Sequence, residues 1–120
     1  MNQKFILVLD DDIGILRFIE KVLKNLGCII TAYSLPDYAL ECFQHSSIPY
    51  SLIITDIEMP VMNGVDFIKK AKEIRPGIKT IGMSGSHHNN PGIDIFDKFI
   101  EKPFTIQTLR DAVNKVLISD

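Results

Sequence analysis

Five short apolar runs, all but the fourth followed by a stretch of clear helical periodicity, constrain this chain more than any other feature of it. Phe5-Ile6-Leu7-Val8-Leu9 offers no polar residue to water, so it reads as a strand covered on both faces, as parallel strands are. Residues 28–33, 52–55, 78–83 and 98–101 supply four more runs of strand length. Between them, residues 13–26, 35–44 and 65–74 carry apolar side chains at helical spacing, with Leu35, Ala39 and Phe43 predicted on one face of the second helix. Gly27, Pro49 and Pro76-Gly77 stop these helices, and Met59-Pro60 and Asn63-Gly64 mark turns. Thr105 caps a last helix whose predicted inner face is Ile106, Leu109, Val113, Val116 and Leu117. Strands alternating with helices, without a repeat or a long linker, predict an α/β doubly wound parallel sheet.

The segment between the fourth and fifth strands breaks the rhythm. Residues 84–92 read as loop, and 93–96 leave room for a short or irregular fourth helix at most. At 120 residues the expectation is one domain spanning 1–120. The net charge is −2 and no Lys/Arg block stands out, so direct nucleic-acid binding is not expected. Cys28 and Cys42 lack metal-ligand spacing and read as buried reduced thiols. No signal pattern opens the chain, and its apolar runs are far shorter than the ~20 residues a membrane span needs. The expectation is a cytoplasmic protein without membrane contact.

In doubly wound sheets the chemistry lies beyond the carboxyl ends of the strands, near the switch in strand order. That rule singles out Asp10, Asp11, Asp56, Ser84 and Lys102, all at strand ends. Carboxylates gathered in one pocket repel, so at neutral pH they hold a proton or a cation. Oxygen donors without His or Cys favour a hard divalent ion. The plainer alternative is that Asp10-Asp11-Asp12 only caps the first helix. Lys102, before Pro103, can neutralise a carboxylate or a phosphoryl oxygen. Ser84, beside Gly85, offers a hydroxyl and a bare backbone N–H. A lysine before a turn or a strand-ending Ser-Gly means little alone; the combination is specific.

Val8-Leu9-Asp10-Asp11-Asp12, Thr55-Asp56-Ile57-Glu58-Met59-Pro60 with Asn63-Gly64, Met83-Ser84-Gly85 and Lys102-Pro103-Phe104 together resemble the receiver domains of two-component response regulators, in order and in approximate spacing. The resemblance covers essentially the whole chain and implies a flavodoxin-like (βα)5 fold with strand order 2-1-3-4-5. It implies a phosphorylation switch rather than an enzyme with an external substrate. Asp56 would be the phosphoacceptor. Asp11, Asp56 and the Glu58 backbone carbonyl would hold Mg2+ (or Mn2+), with Asp10 acting mainly through bound water. Ser84 and Lys102 would hold the phosphoryl oxygens. Ser84 and Phe99 would form the switch, and Glu58 and Ser86 would tune dephosphorylation. The implied partners are a sensor histidine kinase or histidine phosphotransfer domain and an effector or output domain.

Two features depart from plain expectation. Only seventeen residues separate Ser84 from Lys102, fewer than is usual in the family, and they include His87-His88, which read as solvated loop rather than metal ligands. The first helix carries two apolar lines: Leu16, Ile19, Leu23 and Leu26, and Ile15, Phe18 and Val22. The excess, Ile15 and Phe18 with Gly14 and Pro103, is either deeply buried or the docking surface for the phosphodonor helix. Two rivals remain. A haloacid-dehalogenase-type phosphatase would use the D-x-D in 10–12, but Gly14 does not suit its motif and no Asp-Asp pair follows Lys102. A phosphate-independent pseudo-receiver would not need the intact acidic set.

Overall fold

A computed structural model describes residues 3–85 and 92–118. The strands are β1 (Phe5–Leu9), β2 (Ile29–Tyr33), β3 (Tyr50–Asp56), β4 (Lys79–Ser84) and β5 (Lys98–Glu101). The helices are α1 (Ile13–Lys24), α2 (Pro36–His45), α3 (Gly64–Ile74) and α4 (Ile106–Ile118), with one 3-10 turn at Ile93–Ile95. All strand pairs are parallel, in the order β2-β1-β3-β4-β5. The chain steps one way from β1 to β2 and the other way to β3, so the carboxyl ends of β1 and β3 flank the switch in strand order.

Two cores follow from the pleat. Alternate strand residues Ile6, Val8, Leu52 and Ile54 face α1 and α4, while Leu7, Leu9 and Ile53 face α2 and α3. Each is fully buried, which is why the central strands carry no polar alternation.

Two positions predicted to be apolar helix faces stand in water. Leu35 is 64% exposed although Ala39 and Phe43 are buried as expected. The cause is Pro36 at the first helical position, which holds Leu35 in extended backbone outside the helix. Ile106 opens α4 and is 50% exposed, whereas Leu109, Val113 and Val116 are buried. The second apolar line of α1 is divided: Val22 is buried, and Ile15 and Phe18 are half-buried against the first core. Cys28 and Cys42 are free thiols, half-buried rather than fully buried.

Among the described residues, the short fourth helix is present as one 3-10 turn. It is tied down by the Lys72 ammonium, which donates to the Ile95 carbonyl at 3.3 Å. The buried Phe96 ring lies over Gly82, where any Cβ would come within 2.9 Å of it. Thr80 N–H then donates to the Asp97 carboxylate at 2.8 Å, fixing the entry to β5. His87, His88 and Ser86 lie outside the described residues.

Candidate functional site

Every residue expected at the rim is delivered there by the end of a strand. Asp10 follows β1 directly, and its backbone N–H extends the ladder to the Tyr33 carbonyl at 3.1 Å. Asp56 ends β3, opposite Met83. Ser84 ends β4, fully buried, one residue beyond that register partner. Lys102 follows β5, and its backbone N–H donates to the Ser84 carbonyl at 2.8 Å, so these two residues are held side by side. The Lys102–Pro103 peptide is cis.

The backbone around Asp56 is held on three sides. The buried Thr55 hydroxyl donates to the Asp56 carbonyl at 2.9 Å, and the Ile57 N–H donates to the Met83 carbonyl at 2.8 Å. Gly64, first residue of α3, packs against the Asp56 carbonyl and donates its N–H to the Ile57 carbonyl at 2.8 Å. Between them Val61 sits at φ 75°, a left-handed conformation rare for a β-branched residue.

Carboxylate oxygens of Asp10, Asp11 and Asp56 lie within 4.8 Å of one another. Asp10 is fully buried, Asp56 is 4% exposed, and Asp11 opens to solvent. The Lys102 ammonium lies 2.8 Å from Asp10 Oδ2 and 3.4 Å from Asp56 Oδ1. Neither buried oxygen has a hydrogen bond of good geometry. One ammonium against three carboxylates leaves an excess of negative charge, with Lys102 as the cation facing both buried oxygens. That donor set, hard oxygens with unmet charge, fits a small divalent cation.

The electrostatics agree with the geometry. Burial, then the charge of Asp10, pushes the Asp56 carboxyl up to about 6, against the opposing pull of Lys102 and the Glu58 backbone N–H. Burial likewise raises Asp10 above the usual carboxylate range, although Lys102 and the Asp12 N–H resist it. For Lys102, burial favours the neutral amine, but the two carboxylates outweigh it and hold the ammonium charged. A carboxyl raised in the folded chain binds protons more tightly there than when unfolded. Its contribution to metal-free stability is therefore largest below 3.8 and declines as pH climbs through about 6. A cation competing for the same oxygens behaves oppositely. Mg2+ affinity should be about tenfold weaker near pH 5 than near pH 7.5, measured by calorimetric titration. Equal affinity at both pH values would show that Asp56 is not among the groups such a cation meets.

The acidic triplet has divided its labour. Asp12 alone caps α1, its carboxylate accepting from the Gly14 and Ile15 N–H groups at 2.9 and 3.3 Å, while Asp10 and Asp11 join the cluster. Glu58 is exposed two residues past Asp56. Phe99, paired in register with Gly82, is half-buried against the second core beside Phe96. Gly14 and Pro103 are exposed, and Phe18 meets Phe104 with ring centroids 5.9 Å apart. Sequence reasoning did not single out Thr55 as a support of the site; it offered helix capping for the 10–12 triplet as a whole, and the hydrogen bonds give that role to Asp12 alone.

No described helix is long and apolar enough to cross a membrane. Residues 6–114 match the family described as the response regulator receiver domain. The chain is 34% identical to the response regulator receiver protein CpdR of Brucella abortus over 97% of its own length and 98% of that protein. It is 28% identical to the autoinducer 1 sensor kinase/phosphatase LuxN of Vibrio harveyi, spanning 93% of this chain but 13% of LuxN. A crystal structure of a CheY-like receiver domain protein from Methanospirillum hungatei superposes with a TM-score of 0.85 at 25% identity, covering 97% of this chain and 94% of that one. A rim of acidic residues and a lysine on this strand order, matched along nearly the whole length, places the chain in the response regulator receiver domain family, the phosphorylation switches of two-component systems.

Proposed function

We propose that the chain, as one receiver unit over 1–120, takes a phosphoryl group onto Asp56 from a phosphohistidine in a Mg2+-dependent reaction and slowly loses it to water. The observation that carries this reading is the Asp56 carboxylate itself. It is buried at the strand-order switch, has an oxygen without a hydrogen bond, and faces Lys102 at 3.4 Å. An Asp56 oxygen attacks phosphorus in line, an O–P bond forms as the P–N bond of the donor breaks, and the imidazole leaves with the electron pair. Such transfers need positioning and charge neutralisation more than covalent help. Asp11, Asp56 and the Glu58 carbonyl would hold Mg2+ (or Mn2+), with Asp10 acting mainly through bound water. That ion supplies charge screening between the carboxylate and the incoming phosphoryl group.

Lys102 and Ser84 then hold the phosphoryl oxygens, a point charge and a hydroxyl fixed together by the bond between their backbones. Ser84 moving toward the phosphoryl group would let Phe99 turn inward. As phenylalanine it makes that turn with no hydroxyl to bond the backbone. Glu58 and Ser86 would flank the phosphoryl group and set how fast water removes it. Intact mass after acetyl phosphate treatment tests the reading: a gain of one phosphoryl with Mg2+ and none without it supports it, and no gain in either overturns it.

The phosphodonor, a sensor histidine kinase or histidine phosphotransfer domain in the cytoplasm, would dock on Gly14, Ile15, Phe18 and Pro103. One neighbour supports this: Ile13, adjacent to Gly14 in the chain, is itself 50% exposed. Ile15→Ala should slow transfer from a cognate phosphodonor about fivefold or more while leaving acetyl phosphate labelling unchanged. Equal slowing of both would place Ile15 in the fold rather than in docking. The output would pass to an effector or output domain, with no nucleic acid or membrane bound by this chain.

A further inference from the structure

We infer that Asp12 is a positioning residue for the cation, acting through the backbone N–H that orients Asp10. This role rests on the cation site proposed above and concerns the residue of the acidic triplet that the cluster leaves out. Asp10 is fully buried, and its two oxygens have different duties. Oδ1 accepts the Asp12 N–H at 2.9 Å, and Oδ2 faces the Lys102 ammonium at 2.8 Å. The first of these sets the plane of the carboxylate, and therefore where the second points.

That N–H is only as fixed as the Asp12 peptide. Asp12 has extended backbone at φ −91° and ψ 109°, outside the helix, where nothing in the helical ladder holds its N–H. The Leu16 N–H holds the carbonyl of Asp12 at 3.1 Å, and on the other side of the residue the turn is closed by the Asp12 side chain. The carboxylate reaches forward to the Gly14 N–H at 2.9 Å and the Ile15 N–H at 3.3 Å, closing the turn. Gly14 suits this closure, since a Cβ there would stand 3.2 Å from Asp12 Oδ1. The chain of cause runs from cap to turn, from turn to N–H, and from N–H to the Asp10 carboxylate. Asp12 is exposed, so its own charge is screened and contributes little directly. Groups that orient a metal ligand from behind commonly matter tenfold or more for metal affinity.

The test separates bonding from charge. Mg2+ affinity is measured by calorimetry on wild type, Asp12→Ala and Asp12→Asn. Asn keeps a capping oxygen and loses the charge, whereas Ala loses both. Affinity should fall about tenfold in D12A and stay within about twofold of wild type in D12N. Without metal, exchange of the residue-12 amide proton should quicken about tenfold in D12A and hold steady in D12N. Should D12A not fold, Asp12→Gly, which an N-cap position tolerates at little cost, carries the same comparison. Wild-type affinity in D12A overturns the inference. So does a D12N as weak as D12A, which would make Asp12 a charge or a direct ligand. Absence of Mg2+ binding by wild type overturns the cation site itself, a result distinct from an unaffected variant.

Discussion

Asp56→Asn should leave the chain folded, more stable without metal, and unable to take a phosphoryl group from acetyl phosphate. The three effects have one origin. The wild-type carboxyl is pushed up to about 6 by burial and by Asp10, so above that pH the folded chain carries a charge it would rather not hold. The displacement from 3.8 sets an upper bound of ~3 kcal/mol on that cost, at ~1.4 kcal/mol per unit. Asn keeps the shape and removes the charge, and Lys102 retains Asp10 at 2.8 Å as its partner. Urea unfolding near pH 7.5 without metal should therefore show D56N more stable by ~2 kcal/mol. Adding Mg2+ should reverse the order, because only wild type offers Asp56 as a ligand. Intact mass after acetyl phosphate and Mg2+ should show one added phosphoryl on wild type and none on D56N. A labelled D56N would move the acceptor elsewhere, and labelling lost only on substituting Asp10 would favour the phosphatase alternative. A less stable D56N without metal would show that the acidic cluster is not a source of strain.

The fold was legible because its signal is redundant. The central strands are apolar runs, the four long helices each show their own period, and the crossovers leave one sensible sheet. Asp10, Asp11, Asp56, Ser84 and Lys102 were legible for a related reason: strand ends are marked in the sequence, and the topology sends all such ends to one rim. The misreadings come from places where one residue's backbone overrides its side chain. Leu35 has the right spacing for the core of α2, but Pro36 shuts it out of the helix. Ile106 fits the face of α4 by periodicity yet opens that helix, where it is 50% exposed. The role of Phe96 over Gly82 depends on atoms meeting across the fold, which no local pattern encodes, whereas the Asp12 and Thr55 bonds reach residues one or two positions away and turn on backbone geometry that residue spacing does not show. Asn63-Gly64 was visible as a turn, but its physical requirement is tertiary.

That requirement makes Gly64 the position where a single methyl group should do most damage. Gly64 opens α3 after the Asn63 cap, whose side chain accepts the Asp66 N–H at 2.9 Å. An added Cβ would collide with the Asp56 carbonyl oxygen and stand 2.9 Å from Ile57 Cα and 3.0 Å from the Asp56 carbonyl carbon. All three are backbone atoms, so no side chain can swing aside to make room. The Asp56 carbonyl is also held by the Thr55 hydroxyl, and Ile57 by Met83 of β4, which leaves the strand little freedom to yield. The helix must back away instead, breaking the Gly64-to-Ile57 bond and loosening the turn behind the phosphoacceptor. Gly64→Ala should cost about 3 kcal/mol in urea unfolding, at the upper end of overpacking penalties, and slow acetyl phosphate labelling of the molecules that remain folded. Gly77→Ala is the control: a Cβ there meets nothing within 4 Å and its backbone needs no left-handed turn, so stability should change by less than about 0.5 kcal/mol or rise slightly. If Gly64→Ala unfolds at the same urea concentration as Gly77→Ala and is labelled at the wild-type rate, the seating of Asp56 does not depend on the close approach of α3.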